Sequence, residues 1–529
     1  MSVATRTPLN ARGDTVVPFD LGASADAPNW RDGLAWPLDV RSLAGPLRRA
    51  SARLLAASLT QDDAAWRDAA LLMLPGFANR ARAILLAART LEACKATGIR
   101  LVGGPPELNA LRGDGGGLGA DGELVLPGDR VVPPRWRAWV RAASWTPLGR
   151  LPRAWLAPGA VAVTHNPLLA ATARRGTEAI GFVHAARILA EARSGVPVTR
   201  PDTAATAAAL TDALLGELAL APPYRERAAA LIEALAQRGL TAAARDLAGL
   251  GRFRRLPLRL WSGTGGHHAA RAIGLAVRAR GGAVTRFAHG GSLGAIDMIE
   301  QLAATELAVS DRFVVPSDGV RRLIDQTRGI GLPVLTLPVT LEVGARRHTE
   351  PRSRSRPRAG RPTVMYVTTA ALGLAVHAPP FLPDVVYLDW QLRVAETLGR
   401  LPIRLVAKPH PEGLLRGRGH PLADVAETWS RPFESVMADA DAFVFDYPCS
   451  TTFWAALATD RPVVYLDLGL VPFARLARPH LERRCRVVPV GFDERNLPVV
   501  PAAALSEALH VLAPVDPSPW TRLLDDGEP

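Results

Sequence analysis

The chain has 529 residues, is 48% hydrophobic and carries a formal charge of +13, enough length and apolar content for two or three domains with sizeable cores. Its three cysteines, Cys94, Cys449 and Cys485, are too few and too widely spaced for a disulfide framework or a zinc site, and the best apolar run, Ala69 to Ala88, is broken by Pro75, Asn79, Arg80 and Arg82, which argues against a membrane span. The positive charge is arginine scattered along the chain without aromatic-basic interleaving or a recognition motif, which argues against nucleic acid as partner and leaves peripheral contact with an anionic membrane face as the expectation.

Residues 1–35, punctuated by Pro8, Gly13, Pro18, Gly22 and Pro28, read as an irregular lead. Met1 to Arg6 lacks the apolar core of a secretory signal, so the cytoplasm is the expected location. Helical periodicity runs from Val40 to Leu59 and from Ala64 to Thr97, and Ile99 to Val102 then reads as a strand. Gly113 to Gly122 is a loop. Ala160 to Thr164 reads as a strand running through His165-Asn166-Pro167 into a helix from Leu168, and Ala-, Leu- and Arg-rich helices fill the stretch from about Arg175 to Leu250.

The alternation sharpens beyond that point. Leu256 to Trp261 predicts a strand, Ser262 to Gly266 a glycine loop, His267 to Arg280 a helix and Ala283 to Ala288 the next strand, which together form a unit of parallel sheet. Phe313 to Val315 and Val334 to Leu337 continue it. Arg346 to Pro362 has strong self-repulsion and no buried periodicity, so residues 344–362 read as a linker or exposed loop. Strands then follow at Val364 to Thr368, Ile403 to Ala407, Ala442 to Phe445 and Val463 to Leu466, with helices at Leu388 to Leu398, Pro432 to Ala438 and Thr452 to Ala458. The reading is an α/β protein with two doubly wound halves, residues 36–343 with helical insertions and residues 363–529, and with ligands at the carboxyl ends of the strands.

Three strand-end loops carry residues suited to chemistry. The first contains His289, Gly290, Gly291 and Gly294, followed by Asp297, Glu300 and Glu306. Its glycines allow close approach of a ligand, and its imidazole can serve as a general base or phosphate partner, or simply cap its own turn. The second is Lys408-Pro409-His410-Pro411-Glu412-Gly413. Lys408 is one of two lysines in the chain, the other being Lys95, and the flanking prolines restrict the backbone around His410. This combination suits stabilisation of a leaving phosphate, although a rigid solvated turn has the same sequence. The third is Asp446-Tyr447-Pro448-Cys449-Ser450-Thr451-Thr452, in which three hydroxyls open a helix, where backbone N–H groups attract anions. N-capping accounts for one of them. Cys449 reads as a packing residue. The glycine loop around Gly265 either packs helix on strand or approaches a ligand.

Taken together, the Lys-Pro-His-Pro loop and the Ser-Thr-Thr loop about forty residues later resemble the carboxy-terminal half of a GT-B glycosyltransferase of the bacterial sialyl- and Kdo-transferase type. With His289-Gly290-Gly291, they are similar to a bacterial family of surface-carbohydrate transferases. The resemblance covers about Leu258 to Leu468. It implies two Rossmann-like domains behind a helix-rich amino-terminal extension, an acceptor-side domain over residues 36–343 and a nucleotide-sugar domain over 363–529.

The resemblance further implies metal-independent transfer without a cofactor, from a nucleotide-sugar donor of the CMP type to a cell-surface glycan or lipid-linked acceptor. His410 and Ser450 to Thr452 become donor-phosphate contacts, with Lys408 a supporting cation and Glu412, Gly290, Gly291 and Gly265 further substrate contacts. The base falls to His289, Asp297 or Glu300. The same loops are similar to polyol-phosphate transferases, which carry an Asp-Tyr-Ser-Ser loop; Pro448-Cys449 interrupts that pattern here, so this reading comes second. A sugar-nucleotide epimerase and a non-catalytic scaffold on the same fold remain open.

Overall fold

The computed structural model describes residues 15–25, 29–119, 132–194, 202–290, 293–328, 337–344, 360–373 and 382–525. It is a mixed α/β protein built on two six-stranded sheets, each wholly parallel. A two-stranded parallel ribbon, β1 (Thr15–Pro18) beside β2 (Ile99–Val102), precedes them. The lead expected to be irregular therefore contains a strand, in which Val17 is buried in the core and the backbone pairs with Ile99–Val102.

The first large sheet comprises β3 (Ala160–Ala162), β4 (Ile180–Phe182), β5 (Arg259–Ser262), β6 (Ala283–Phe287), β7 (Arg312–Val315) and β8 (Thr340–Val343) in the order β4-β3-β5-β6-β7-β8. The second comprises β9 (Thr363–Val367), β10 (Arg404–Lys408), β11 (Glu427–Thr428), β12 (Ala442–Phe445), β13 (Val463–Asp467) and β14 (Arg486–Pro489) in the order β11-β10-β9-β12-β13-β14. In each sheet the strand order reverses direction once, between β3 and β5 in the first and between β9 and β12 in the second. At such a point the connecting loops diverge and leave a crevice at the carboxyl ends of the strands. Strand β9 is buried at all five positions and β12 at all four, as expected of strands covered on both faces.

Strand β4 interrupts the stretch after Arg175 that reads as filled by helices. Its three residues, Ile-Gly-Phe, are too few for periodicity to register. The segment Val334–Thr336 and the linker residues 345–359 lie outside the described residues.

The long helix Ala64–Thr97 starts and ends where local chemistry dictates. Asp63 accepts hydrogen bonds from the N–H groups of Ala65 and Trp66 at 2.7 and 3.3 Å, and Gly98 ends the helix at φ 65°. By length and composition it could cross a membrane, but 72% of its apolar window is buried inside the protein, where it packs on the helix Pro222–Arg252.

The two halves are tied by both ends of the chain. Arg31 pairs with Asp389 at 3.0 Å and Glu396 at 2.8 Å. The last described helix, Ser518–Asp525, leaves the second half and packs on the helix Asp318–Arg328 of the first, where a Cβ on Gly319 would lie 2.1 Å from the Leu523 carbonyl oxygen. The carboxyl end of the chain is thus shared between the halves and does not belong wholly to the second.

Candidate functional site

The carboxyl ends of the two sheets face each other across a cavity of about 410 Å³, within the range typical of small-molecule sites. From the first half it is lined by His289, Gly290, Gln301, Thr305 and Glu306, and from the second by Thr369, His410, Tyr447, Cys449 and Thr451. The second-half residues follow β9, β10 and β12, so the cavity sits at the crevice that the strand reversal opens between β9 and β12. At the contact between halves, a Cβ built on Gly290 would lie 3.6 Å from Thr451 Cγ2, and Gly290 itself has φ +93°. That backbone conformation strains any residue with a side chain. Gly291 lies outside the described residues.

His289 is aimed by the residues that lock the strand ends beneath it. Asn166 caps the helix Pro167–Arg175 by accepting from the Leu169 N–H at 2.8 Å. Its buried amide donates to the carbonyl oxygens of Gly263, Phe287 and Ala288 at 2.8, 2.9 and 3.1 Å. The ends of β3, β5 and β6 are thereby fixed together one residue before His289. Its Nδ1 lies 3.6 Å from Oε1 of Glu306, whose carboxylate is 3% exposed. With the ring proton on Nδ1 toward that carboxylate, Nε2 is left with a lone pair, the arrangement a general base needs.

Glu306 is in turn held by the glycine loop. The Gly265 N–H donates to Oε1 at 2.9 Å, while Oε2 is buried without a hydrogen-bond partner. Two buried arginines share the region. Arg271 donates to the carbonyl oxygens of Leu71, Thr305 and Ala304, and Arg286 to that of Thr264. Burial pushes Arg271 down to about 9 and Arg286 to about 10, and Glu306 opposes both shifts. Buried guanidinium groups beside a buried carboxylate keep its charge compensated without covering the cavity.

Gly265 is a packing position and not a substrate contact. A Cβ there would lie 2.2 Å from the Thr305 carbonyl oxygen and 2.6 Å from Glu306 Oε2. Gly265→Ala is expected to cost about 1–3 kcal/mol by forcing these groups apart, whereas Gly266→Ala, whose Cβ meets nothing closer than 3.7 Å, should be near neutral. Urea denaturation of both variants checks this.

His410 presents a defined tautomer. The Glu412 N–H donates to its Nδ1 at 3.2 Å, so a neutral ring carries its hydrogen on Nε2. Desolvation by the cleft walls holds its pKa below the ordinary value, with the Glu412 contacts opposing. The neutral ring thus presents Nε2–H as a hydrogen-bond donor. Glu412 contributes its backbone to this arrangement, and its carboxylate is exposed.

Of the three hydroxyls in the third loop, Thr451 alone lines the cavity. Ser450 is the N-cap of the seven-residue helix Thr451–Leu457, accepting from the Thr452 N–H at 3.3 Å, and its hydroxyl is bonded to that of Thr452. Ser450 and Thr452 are thus bonded to each other, and Thr451 is the hydroxyl of the three that faces the cavity. Cys449 lines the cavity, but burial pushes its thiol up to about 12, so it is an inert wall at neutral pH.

Three further expectations change. Lys408 ends β10 in a sheet covered on both faces; its side chain is 5% exposed and does not line the cavity. Desolvation lowers its pKa and the charge of Glu434 opposes that shift. Asp297 and Glu300 are claimed by Arg48, at 3.2 and 2.8 Å, and neither lines the cavity. Glu300 is 1% exposed. A buried acid held in an ion pair, as Glu300 is, is a poor base, because breaking the pair leaves a charge uncompensated.

Sequence reasoning assigned no role to Glu306. The signal was present only as an acid at the end of a helix, Ile299–Thr305, seventeen residues after His289. Among the described residues, no three His, Cys, Asp or Glu side chains are grouped so as to hold a metal ion. No protein-family model and no curated protein matches the chain.

Proposed function

We propose that the protein is a GT-B-like glycosyltransferase with two Rossmann-like domains, moving a sugar from a nucleotide donor to a cell-surface or lipid-linked glycan in the cytoplasm. The observation that carries this reading is the cavity at the strand reversal of the second sheet. It is closed from the opposite side by a histidine–glutamate pair of the first. The donor nucleotide occupies the second-half wall, between the loops after β9, β10 and β12, and the acceptor approaches past His289.

In the transfer step, His289 Nε2 takes the proton of the acceptor hydroxyl as its oxygen bonds to the anomeric carbon. The bond from that carbon to the phosphate oxygen breaks, and the nucleotide leaves with the electron pair. Glu306 stabilises the imidazolium so formed. His410 Nε2–H and the Thr451 hydroxyl donate hydrogen bonds to the phosphate as its charge grows. The preference for a CMP-sugar rests on the resemblance of the His-Pro and Ser-Thr-Thr loops to sialyl- and Kdo-transferases.

Thermal denaturation in the presence of CMP, CDP, UDP and GDP and their sugars, with and without EDTA, tests the proposal. A ligand at 100 times its Kd adds about 2.7 kcal/mol. Stabilisation by CMP that survives EDTA and is lost in His410→Ala is expected. Absence of a shift with every nucleotide would sink the transferase reading in favour of a non-catalytic scaffold.

A further inference from the structure

A second surface of the first half has a composition unlike the rest of the chain. Between Arg130 and Thr177 there are eight arginines and no aspartate or glutamate, and four of the chain's twelve tryptophans fall at positions 136, 139, 145 and 155. The helices Arg135–Trp145 and Leu151–Leu156 pack on the β4 edge of the sheet.

The inward face of the first helix is accounted for. Ala138, Ala142 and Trp145 are buried, and Trp145 stacks on His165 at 5.5 Å while donating to the Ile180 carbonyl oxygen. The outward face is also apolar. Trp136, Trp139 and Val140 are exposed, Trp139 at 64%, and beside them stand Leu148, Trp155 and Leu156, the two leucines at 85%. Trp139 and Trp155 have ring centroids 6.4 Å apart, which joins the exposed faces of the two packed helices. Arg137, Arg141 and Arg153 are exposed on the same two helices, with Arg137 over the Trp136 ring at 5.6 Å.

The field of these arginines reaches inward. His165 and His184 behind the patch are both held below the ordinary histidine range, by burial first and then by arginines that include Arg141 in each case. Apolar lining also continues beneath Trp139, into a cavity of about 760 Å³ floored by Ala160, Val161 and Phe182.

We propose that this Trp- and Arg-rich face seats the protein on an anionic phospholipid surface. Tryptophan and leucine side chains at the headgroup level, flanked by arginine, are what an interfacial helix presents to such a membrane. Two other occupants fit less well. A second copy of the chain joined through the same two helices would set arginine against arginine, since neither helix carries an aspartate or glutamate. A nucleic acid would leave the exposed leucines without an apolar partner.

Co-sedimentation of the full chain with vesicles tests the proposal, comparing phosphatidylcholine alone with phosphatidylcholine containing about one-third phosphatidylglycerol. Binding to the anionic vesicles alone, weakened by raised salt, is expected. Arg137→Gln with Arg141→Gln should weaken it about 25-fold, roughly fivefold per arginine. Trp139→Ser with Trp155→Ser should abolish co-sedimentation while the chain stays folded, because both rings are largely or half exposed.

Absence of vesicle binding overturns the proposal. So does a dimer in lipid-free buffer that the tryptophan variant splits, which assigns the face to a second copy, or an RNA oligonucleotide that displaces the vesicles through the same arginines. Vesicle binding is read without any nucleotide or sugar, so its failure leaves the proposed chemistry standing, and the failure of nucleotide binding leaves the lipid surface standing.

Discussion

His289→Ala is expected to lower transfer by about 10²- to 10⁴-fold, the usual contribution of a positioned general base, while nucleotide-induced stabilisation stays intact. The separation of the two effects follows from the site. His289 stands on the first sheet, opposite the second-half loops proposed to bind the donor, and it is 55% exposed, so its removal opens no cavity in the core. Glu306→Gln keeps the size of the side chain and one acceptor oxygen for the Gly265 N–H, but removes the charge that would balance the imidazolium. It should lower kcat roughly tenfold or more with the donor KM unchanged, the pattern of a group that acts only in the transition state. Asp297→Asn, by contrast, should leave kcat within about twofold, since that carboxylate faces Arg48. Steady-state kinetics on the three variants decide the assignment. Full activity in His289→Ala, or a collapse in Asp297→Asn equal to that in His289→Ala, would overturn it.

Asp446→Ala is expected to cost about 3 kcal/mol or more in folding stability. Asp446 lies directly beneath the cavity wall and is 2% exposed. It accepts from the hydroxyls of Tyr366 and Tyr387 at 2.6 and 2.7 Å and from the Trp390 indole N–H at 3.1 Å. Truncation strands three buried donors, each worth about 1–3 kcal/mol when left unsatisfied. The same group gives stability a pH dependence. Burial raises its pKa to about 6, against the opposing hydrogen bonds from the two tyrosines and the tryptophan.

A carboxyl whose folded pKa lies above its unfolded value favours the folded state when protonated. That contribution is fully present below the unfolded value near 4 and is lost as pH rises through the folded value near 6. Its size over that interval is on the order of 3 kcal/mol. Asp446→Asn cannot titrate. Wild-type stability should therefore fall relative to this variant across the interval and run parallel to it at higher pH. Chemical denaturation of both proteins at several pH values checks the sign, and a constant difference across the interval would refute it.

The central strands could be read from the chain because strands buried on both faces appear as continuous apolar runs. Thr363–Val367 and Ala442–Phe445 were found on that basis. The strands that escaped notice are short or at a sheet edge. Ile180–Phe182 has three residues, Glu427–Thr428 has two, both exposed, and Arg486–Pro489 forms the far edge of its sheet. For such pieces the pairing partner supplies the structure, and no periodicity of their own announces it. Helix limits were readable where a cap marks them, as Asp63 and Gly98 mark Ala64–Thr97.

The site divides along a similar line. His289 and His410 could be named because an imidazole beside glycine or proline at a strand end has few structural duties. Which ring nitrogen His410 presents depended on the Glu412 N–H, and His289 met a carboxylate only through Glu306. Asp297 and Glu300 stand near His289 along the chain. Arg48, some 250 residues earlier, pairs with both. Lys408, one of two lysines in the chain, is buried by its position at the end of β10. Glu306 acquired its place beneath His289 only through the packing of helix Ile299–Thr305 against the glycine loop.

Local sequence thus determined what depends on neighbours a few residues away: strand and helix type, caps, turn glycines and the loops in which chemistry is possible. Tertiary structure decided which of those loops meet across the cleft, which acids are already spoken for and which imidazole nitrogen is free. Those outcomes are set by desolvation and by ion pairs between residues distant in the chain, and neither leaves a local trace.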